Sequence, residues 1–545
     1  MKPSNLFNQA LLAEASYANF WNKNTNQVIT DRDGVKTALQ RIDTDEDELV
    51  DDPNKGFSLA QAEDFIVHWK VIHHQPDTDS GFSATLFKNK DTNTPQPYVF
   101  AIRGTSQLLE DLLTADLLDI VTDGVAIDQI VDMWNYWKQL TTPKGESFTG
   151  SRVVTLVTET AALAFANLNP LRLVPGSNLI GNAYREWLYS RDDIIIDNSL
   201  LGERVRTIET VLGDSNFTGI LDTPLEKDQL LSVTGHSLGG HLSAALTRLV
   251  PGIEALTING AGFPTGRLPG LGGDAEVNIR NLFGMLGGGD TGFNSSRILN
   301  LHGDKNFEFI TQNTELGLLQ QGGQEAIFIE QKEIKSFTYG HGAGQMTDSL
   351  AVYDLLTRLD AELFNMSPAA MLDKLQPLFE QASNQTEASL ESIVNSIGDL
   401  LKVGSKVSID IREQLYVRLQ AINNELYLDP ALAEPQLKPQ YQNLKIVEVA
   451  SLSDSEKLDN TEGLAYRYAL TQLNTFAITG NIGLYNVDEL AADKFSDQYL
   501  TDRARFLELK IKLALTDSTA EPLPLTPEYF EDKASALIID NRTTA

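Results

Sequence analysis

The chain has 545 residues, long enough for more than one hydrophobic core, and its apolar fraction of 42% suits ordinary globular folding. It has no cysteine, which excludes disulfides, thiolate metal sites and a cysteine nucleophile. A formal net charge of −32 repels nucleic acid and anionic membrane surfaces and turns the search towards neutral or zwitterionic ligands.

Met1 to Asn22 lacks a basic segment followed by a long apolar run, so no Sec-type signal is read there. Residues 5–20 read as helical. The acidic run Asp43-Thr44-Asp45-Glu46-Asp47-Glu48 partly follows the spacing of a calcium loop. Glu48 stands where that loop needs a turn glycine, and Asn54 where it needs a bidentate Glu, so a solvated acidic loop is the better reading. From Phe65 to Ile72 the apolar residues alternate with a period of two, which predicts a strand. Phe82 to Phe87 predicts a second strand. The uniformly apolar Tyr98-Val99-Phe100-Ala101-Ile102 predicts a central, buried third one.

Leu117, Ile120, Val121, Gly124, Ile127, Ile130, Val131, Trp134 and Trp137 keep a spacing of three to four, with Asp119, Asp123, Asp128 and Asp132 on the opposite face. That amphipathic helix suits either a lid or packing on the sheet, and periodicity favours packing. The longest apolar stretch, Val153 to Leu168, is interrupted by Thr155, Thr158, Glu159 and Asn167 and is too short to span a bilayer. Further strands are predicted at Leu230–Thr234, Ile253–Ile258 and Arg297–Leu301, with a helix over Gly239–Leu249. A last strand ends at Tyr339, and a helix covers Asp348–Phe364. Strands alternating with helices predict a mostly parallel α/β sheet. At Ser367-Pro368, an N-cap followed by proline, the pattern turns mainly helical (roughly 369–402, 410–427, 463–475 and 497–515). No repeat of fixed period is present.

The strongest chemical signal is Thr234-Gly235-His236-Ser237-Leu238-Gly239-Gly240, a G-x-S-x-G directly after an apolar strand and directly before a helix. A serine in such a turn is held in strained backbone, with glycines allowing strand and helix to approach. The helix N-terminus adds positive potential and free N–H groups. A serine nucleophile needs a base, and the base needs an orienting group. Of the seven histidines, only His302 and His341 follow Ser237 outside its own helix. His341, in Tyr339-Gly340-His341-Gly342-Ala343-Gly344, is favoured because the expected chain order is serine, acid, histidine. Asp304, after the strand ending Leu301-His302-Gly303, is the favoured acid. Asp290 and, more weakly, Asp274 compete. The oxyanion donors expected are the backbone N–H of Leu238 and Thr105, which leaves the central strand in Ile102-Arg103-Gly104-Thr105-Ser106.

Taken together, Phe100-Ala101-Ile102-Arg103-Gly104-Thr105, Asp111-Leu112-Leu113-Thr114-Ala115-Asp116-Leu117 and Thr234–Gly240 resemble the class 3 lipases over roughly residues 60–360. The resemblance implies an α/β-hydrolase fold, a Ser-Asp-His triad, an RGS or RGT oxyanion turn and a helical lid opening at lipid surfaces. Carried onto this chain, the nucleophile is Ser237 and the oxyanion residue Thr105. The acid after the Arg297-Ile298 strand is Asp304, and the histidine is His341. The chain departs from the compact members in the long gap between Thr105 and Ser237 and in His241, which replaces a small residue. The C-terminal part, with Tyr499-Leu500-Thr501-Asp502-Arg503-Ala504, resembles lipase-like regions of large bacterial exported proteins that carry calcium-binding glycine-rich repeats. No such tandem repeat occurs here.

The expectations are therefore an α/β-hydrolase catalytic domain over 1–366 with a lid-like insertion at 106–229, and a helical domain over 367–545. The expected activity is hydrolysis of lipid carboxylic esters, as a triacylglycerol lipase or phospholipase A1 meeting its substrate at an interface. A soluble carboxylesterase or thioesterase would use the same groups, and a non-catalytic interaction protein would lack a triad member. No cofactor is required. The acidity is compatible with a structural calcium, although no ligand set stands out, and no catalytic metal, nucleic acid or stable membrane span is expected. Export without a cleaved N-terminal signal is expected, with the cytoplasm as the alternative.

Overall fold

The computed structural model describes residues 4–41, 56–90, 95–104, 126–158, 190–199, 202–264, 275–288, 292–304, 318–330, 342–383, 388–409, 411–430, 436–449, 452 and 455–517. The acidic run 43–48, Thr105, Asp274, Asp290 and His341 lie outside them. Three helices open the chain: α1 (Ser4–Ala15), α2 (Arg32–Gln40) and α3 (Leu59–His68). Strands β1 (Trp69–Gln75), β2 (Ala84–Asn89) and β3 (Tyr98–Ile102) follow, then helix α4 (Ile127–Thr141). An inserted antiparallel sheet contains β4 (Gly150–Thr158), β5 (Ile195–Ser199) and β6 (Gly202–Val211), with β6 in the middle. The chain then returns through β7 (Leu230–His236), α5 (Leu238–Leu249), β8 (Ala255–Ile258), α6 (Ala275–Met285), β9 (Ile298–Gly303) and β10 (Gly323–Ile327).

The main sheet has the order β10-β9-β8-β7-β3-β2-β1. Strands β3, β7, β8, β9 and β10 are parallel, and β2 is antiparallel to both its neighbours. The parallel strands therefore end on one edge, where functional loops of such sheets gather. This is an α/β-hydrolase-like fold with an additional, mostly helical C-terminal region. That region comprises α7 (Ala343–Leu359), which leads into it, then α8 (Pro368–Ala382), α9 (Ser389–Leu401) and α10 (Arg412–Leu426). Strand β11 (Lys445–Glu448), α11 (Thr461–Gln472), β12 (Phe476–Thr479) and α12 (Asp497–Asp517) complete it.

Alternation along the strands sends side chains to different cores. In β3, Phe100 and Ile102 join the cluster under α4, α5 and α6, whereas Val99 and Ala101 join the one under α1, α2 and α3. In β8, Ala255 belongs to the first cluster. Leu256 and Ile258 belong to a third, shared with α1, α7 and the C-terminal helices. Apolar side chains from β8, β9 and β10 thus form one continuous core with Leu375, Phe379, Ile393 and Leu464. Helix α1 lies across the junction of the two far-face clusters, and Thr234 of β7 donates its hydroxyl to the carbonyl of Gln9. On the other face, Tyr136 and Trp137 of α4 pack on Phe100, at ring-centroid distances of 5.7 and 6.2 Å.

Two local expectations are corrected. Phe65 to His68 are helical, because Ser58 and Gln61 form a reciprocal capping box that starts α3, and the strand begins only at Trp69. A short apolar run fits either period, and the cap decides between them. The stretch 369–402 is two helices, α8 and α9, and not one. The helical region also contains the antiparallel pair β11 and β12. Within 106–229 the described residues also contain a three-stranded sheet. The strand expected to end at Tyr339 lies outside the described residues. Among the described residues, no helix is long and apolar enough to cross a membrane.

Candidate active site

Ser237 sits between β7 and α5 with φ 55° and ψ −123°. A non-glycine residue there stores roughly 1–3 kcal/mol and persists only when its surroundings hold it. They do. Its N–H donates to the carbonyl of Ile258 at 3.0 Å, and its own carbonyl accepts from Gly240 at 2.9 Å and Ala261 at 3.0 Å. Two glycines make this close approach sterically feasible. A Cβ on Gly239 would lie 2.2 Å from the carbonyl oxygen of Ile102, and one on Gly235 would lie 2.3 Å from that of Gly239. The end of β3 and the turn are therefore packed backbone to backbone. Ser237 does not use its side chain to cap α5, and it is 5% exposed.

Leu238 occupies the first helical position, where a backbone N–H has no intrahelical acceptor. Gly104, the last described residue before Thr105, runs beside the same turn. A Cβ on it would meet the hydroxyl of Tyr17 at 2.4 Å, the carbonyl of His236 at 2.5 Å and the Cβ of Ser237 at 3.3 Å. Arg103 is held on its other side, its N–H donating to the Ser83 carbonyl at 3.0 Å and its guanidinium pairing with Asp77. Gly104 thus lies alongside Ser237, while Thr105 lies outside the described residues.

Most of the described histidines have other occupations. His73 and His74 are on β1, three strand spacings or about 14 Å from β7. They bond Tyr136 and Thr85, and burial pushes their pKa values down to about 4 and about 3. His68 ends α3 with its Nε2 3.8 Å from Asp64. His236 has its Nδ1 2.7 Å from the Tyr17 hydroxyl. His241 stacks on Phe263 at 3.9 Å and bonds the carbonyl of Gly262 through Nδ1. Burial lowers its pKa to about 4. His302, nearly buried in β9, pairs in register with Ala326 of β10.

Asp304 follows the last residue of β9, two strands from β7, on the edge where Ser237 stands. Its N–H donates to the Ile327 carbonyl at 2.8 Å, and its Oδ1 accepts from the N–H of Ile329 at 2.9 Å. Its Oδ2 accepts from Nε2 of Gln376, on α8, at 2.5 Å. Asn259 and Asn300 tie the neighbouring strand ends together. The Asn259 side chain accepts from Gly303 at 3.1 Å, and that of Asn300 accepts from Gly260 at 3.1 Å.

A cleft of about 520 Å³ lies between α4, the inserted sheet and the turn before β2. Its lining includes Asp79, Ser80, Asp128, Asp132, Arg152 and Arg206, and does not include Ser237, Leu238 or Asp304. Much of its polarity is internally satisfied: Ser80 donates to Asp132 at 2.7 Å, and Arg206 pairs with Asp128. Among the described residues, no group of three or more His, Asp or Glu side chains is placed to hold a metal ion.

The contacts of Tyr17 with His236 and of Gln376 with Asp304 were not visible in the sequence. They span 219 and 72 residues, and neither Tyr17 nor Gln376 belongs to a motif. No family model matches the chain, and no curated protein matches it in sequence. Among solved structures it is similar to the crystal structure of Lip2 lipase from Yarrowia lipolytica, at 13% identity, covering 62% of this chain and 81% of that one. The TM-score is 0.23, and the order and direction of the strands define the fold.

Proposed function

We propose that this chain is a serine hydrolase that cleaves carboxylic esters of lipids through an acyl-enzyme. Ser237 is the nucleophile, His341 the general base and acid, and Asp304 the group that orients the imidazole. The Leu238 N–H and Thr105 receive the oxyanion. One observation carries the reading: a non-glycine serine is held at φ 55°, between a parallel strand and the N-terminus of a helix, by backbone hydrogen bonds and by glycines that permit nothing larger. Such a turn is costly and presents one side chain at the strand edge, which is what a nucleophile requires.

In the proposed reaction, His341 takes the Ser237 proton as Oγ attacks the ester carbonyl. Collapse of the tetrahedral intermediate expels the alcohol, which receives that proton. Water, deprotonated by the same imidazole, then releases the acid. These steps use protein groups and water alone, so any calcium would serve structure. Lipid as the substrate class follows from the resemblance in the motifs. The insertion at 106–229, with α4 on the sheet face and its own antiparallel sheet, is the segment proposed to govern access.

Labelling with a fluorophosphonate and mapping the adduct by mass tests the nucleophile, with attachment at Ser237 expected. Ser237→Ala should lower p-nitrophenyl ester turnover by at least about 10³-fold. Turnover unchanged in that variant would remove Ser237 as the nucleophile, and a wild type without turnover would leave only a scaffold. A panel of short and long p-nitrophenyl esters, triglyceride and phosphatidylcholine separates lipase, phospholipase and soluble esterase.

A further inference from the structure

We propose that Gln376, a residue of the C-terminal helical region, is a positioning residue for the hydrolase reaction, acting by orienting the carboxylate of Asp304. The inference rests on the reading of Ser237, Asp304 and His341 given above.

The argument begins with what surrounds the Gln376 amide. Its Nε2 lies 2.5 Å from Asp304 Oδ2 and 3.2 Å from Glu380 Oε1. Its Oε1 lies 3.0 Å from the Tyr353 hydroxyl. Two carboxylates on one side require the NH₂ end there, because the reversed amide would set three acceptors against one another. Tyr353 must then donate. Burial, with the charges of Asp304 and Glu380, holds its phenol pKa well above the usual value, so that proton stays in place. Tyr353 is itself fixed, stacked on Phe379 of α8 at 4.0 Å and 1% exposed. The donor facing Asp304 is therefore clamped at its far end by a buried ring.

Asp304 consequently has one oxygen fixed by a backbone N–H from Ile329 and the other by a side chain from α8. Two directional bonds to different oxygens set the plane of a carboxylate, and a hydrogen bond to a charged acceptor is among the stronger ones. The backbone bond comes from the sheet layer. The second is supplied by a helix more than 130 residues beyond the nucleophile, so the helical region takes part in the geometry of the site as well as in the core. A carboxylate free to rotate would orient the imidazole less well, which lowers turnover without changing substrate binding.

The test uses the full chain and three variants, with p-nitrophenyl butyrate turnover, fluorophosphonate labelling and thermal midpoints measured together. Gln376→Met keeps the shape and removes the donor. Gln376→Glu keeps the shape and replaces the donor with an acceptor, facing Asp304 and Glu380. Lys374→Ala, on the same helix at the surface, is the control. For Gln376→Met we expect kcat to fall about tenfold, KM to stay within about twofold and Ser237 labelling to slow in parallel. Gln376→Glu should be slower still at neutral pH, and should gain on Gln376→Met as pH falls, because a protonated Glu regains an O–H donor. A packing role would not move that ratio. Tyr353→Phe, which leaves the amide unclamped, should lower kcat by a smaller factor and serves if Gln376→Met is unfolded. An inert wild type, or one not labelled at Ser237, overturns the hydrolase reading itself. An active, labelled wild type whose Gln376 variants keep its kcat, or whose Glu-to-Met ratio is flat with pH, overturns the role of Gln376 alone.

Discussion

The two faces of the sheet around β7 are built differently. The face under α4, α5 and α6 is covered mainly by elements lying between β3 and β9 in the chain, and the one guanidinium of α5, Arg248, is buried there against the rings of Phe283 and Phe293. The opposite face is covered by the two ends of the chain, α1 to α3 and α7 to α12. It also buries charge: Arg412 of α10 bonds Glu14 of α1 at 2.7 Å and Asp348 of α7 at 2.8 Å, with Tyr416 donating to Asp348 at 2.8 Å. The serine turn is thus made by residues near it in sequence and by the end of β3. The surroundings of Asp304 and His236, by contrast, depend on segments from far along the chain. The difference teaches that turn geometry and site support are separable, and substitutions on the two faces should act on different observables.

The largest effect is expected at the turn. Gly239→Val places carbon against the Ile102 carbonyl at 2.2 Å, and backbone has to move. A drop in kcat of about 100-fold or more should accompany a loss of about 3 kcal/mol in stability, read by ester turnover and urea unfolding. On the other face, Arg412→Met leaves Glu14 and Asp348 buried without their cation. It should cost about 3–5 kcal/mol in urea unfolding while kcat per folded molecule holds. Were Gly239→Val to keep full turnover, or Arg412→Met to lose turnover before stability, the separation between faces would be wrong.

A pH-dependent effect follows from His241. Its folded-state pKa is lowered by burial from 6.5 to about 4, so its contribution is fully present above pH 6.5 and is lost as pH falls towards 4. His241→Phe keeps a ring against Phe263 and removes the titration. Unfolding free energy measured from pH 7 to 4 should therefore fall less steeply in the variant, by on the order of 3 kcal/mol over that window. Parallel slopes would mean the ring is charged in the folded protein. The smallest effect is expected for Tyr17→Phe, which removes the bond from the turn after α1 to His236 and should cost about 1 kcal/mol with kcat nearly unchanged. A large loss of kcat there would bring the turn after α1 into the chemistry and blur the comparison.

What the residues reveal by themselves is local. The strand Tyr98–Ile102 has the same limits in sequence and structure because an apolar run bounded by turn residues admits one buried strand there. The turn at Ser237 is legible because glycines at 235 and 239 have no other reason to flank a serine between a strand and a helix. The break at Ser367-Pro368 is legible too, since Ser367 caps α8 through the N–H of Ala370 and Pro368 needs no N–H partner at the first position. Where two local patterns competed, as from Phe65 to His68, periodicity lost to the cap at Ser58.

Only the tertiary structure decided which core each face would join, and what would touch the site. No spacing connects Gln376 to Asp304, Tyr17 to His236 or Arg412 to Glu14, because those contacts arise when helices from both ends of the chain pack on one side of the sheet. A local motif constrains dihedral angles over a few residues. A carboxylate's orientation is set by donors that folding brings in from elsewhere, and sequence order does not encode their distance.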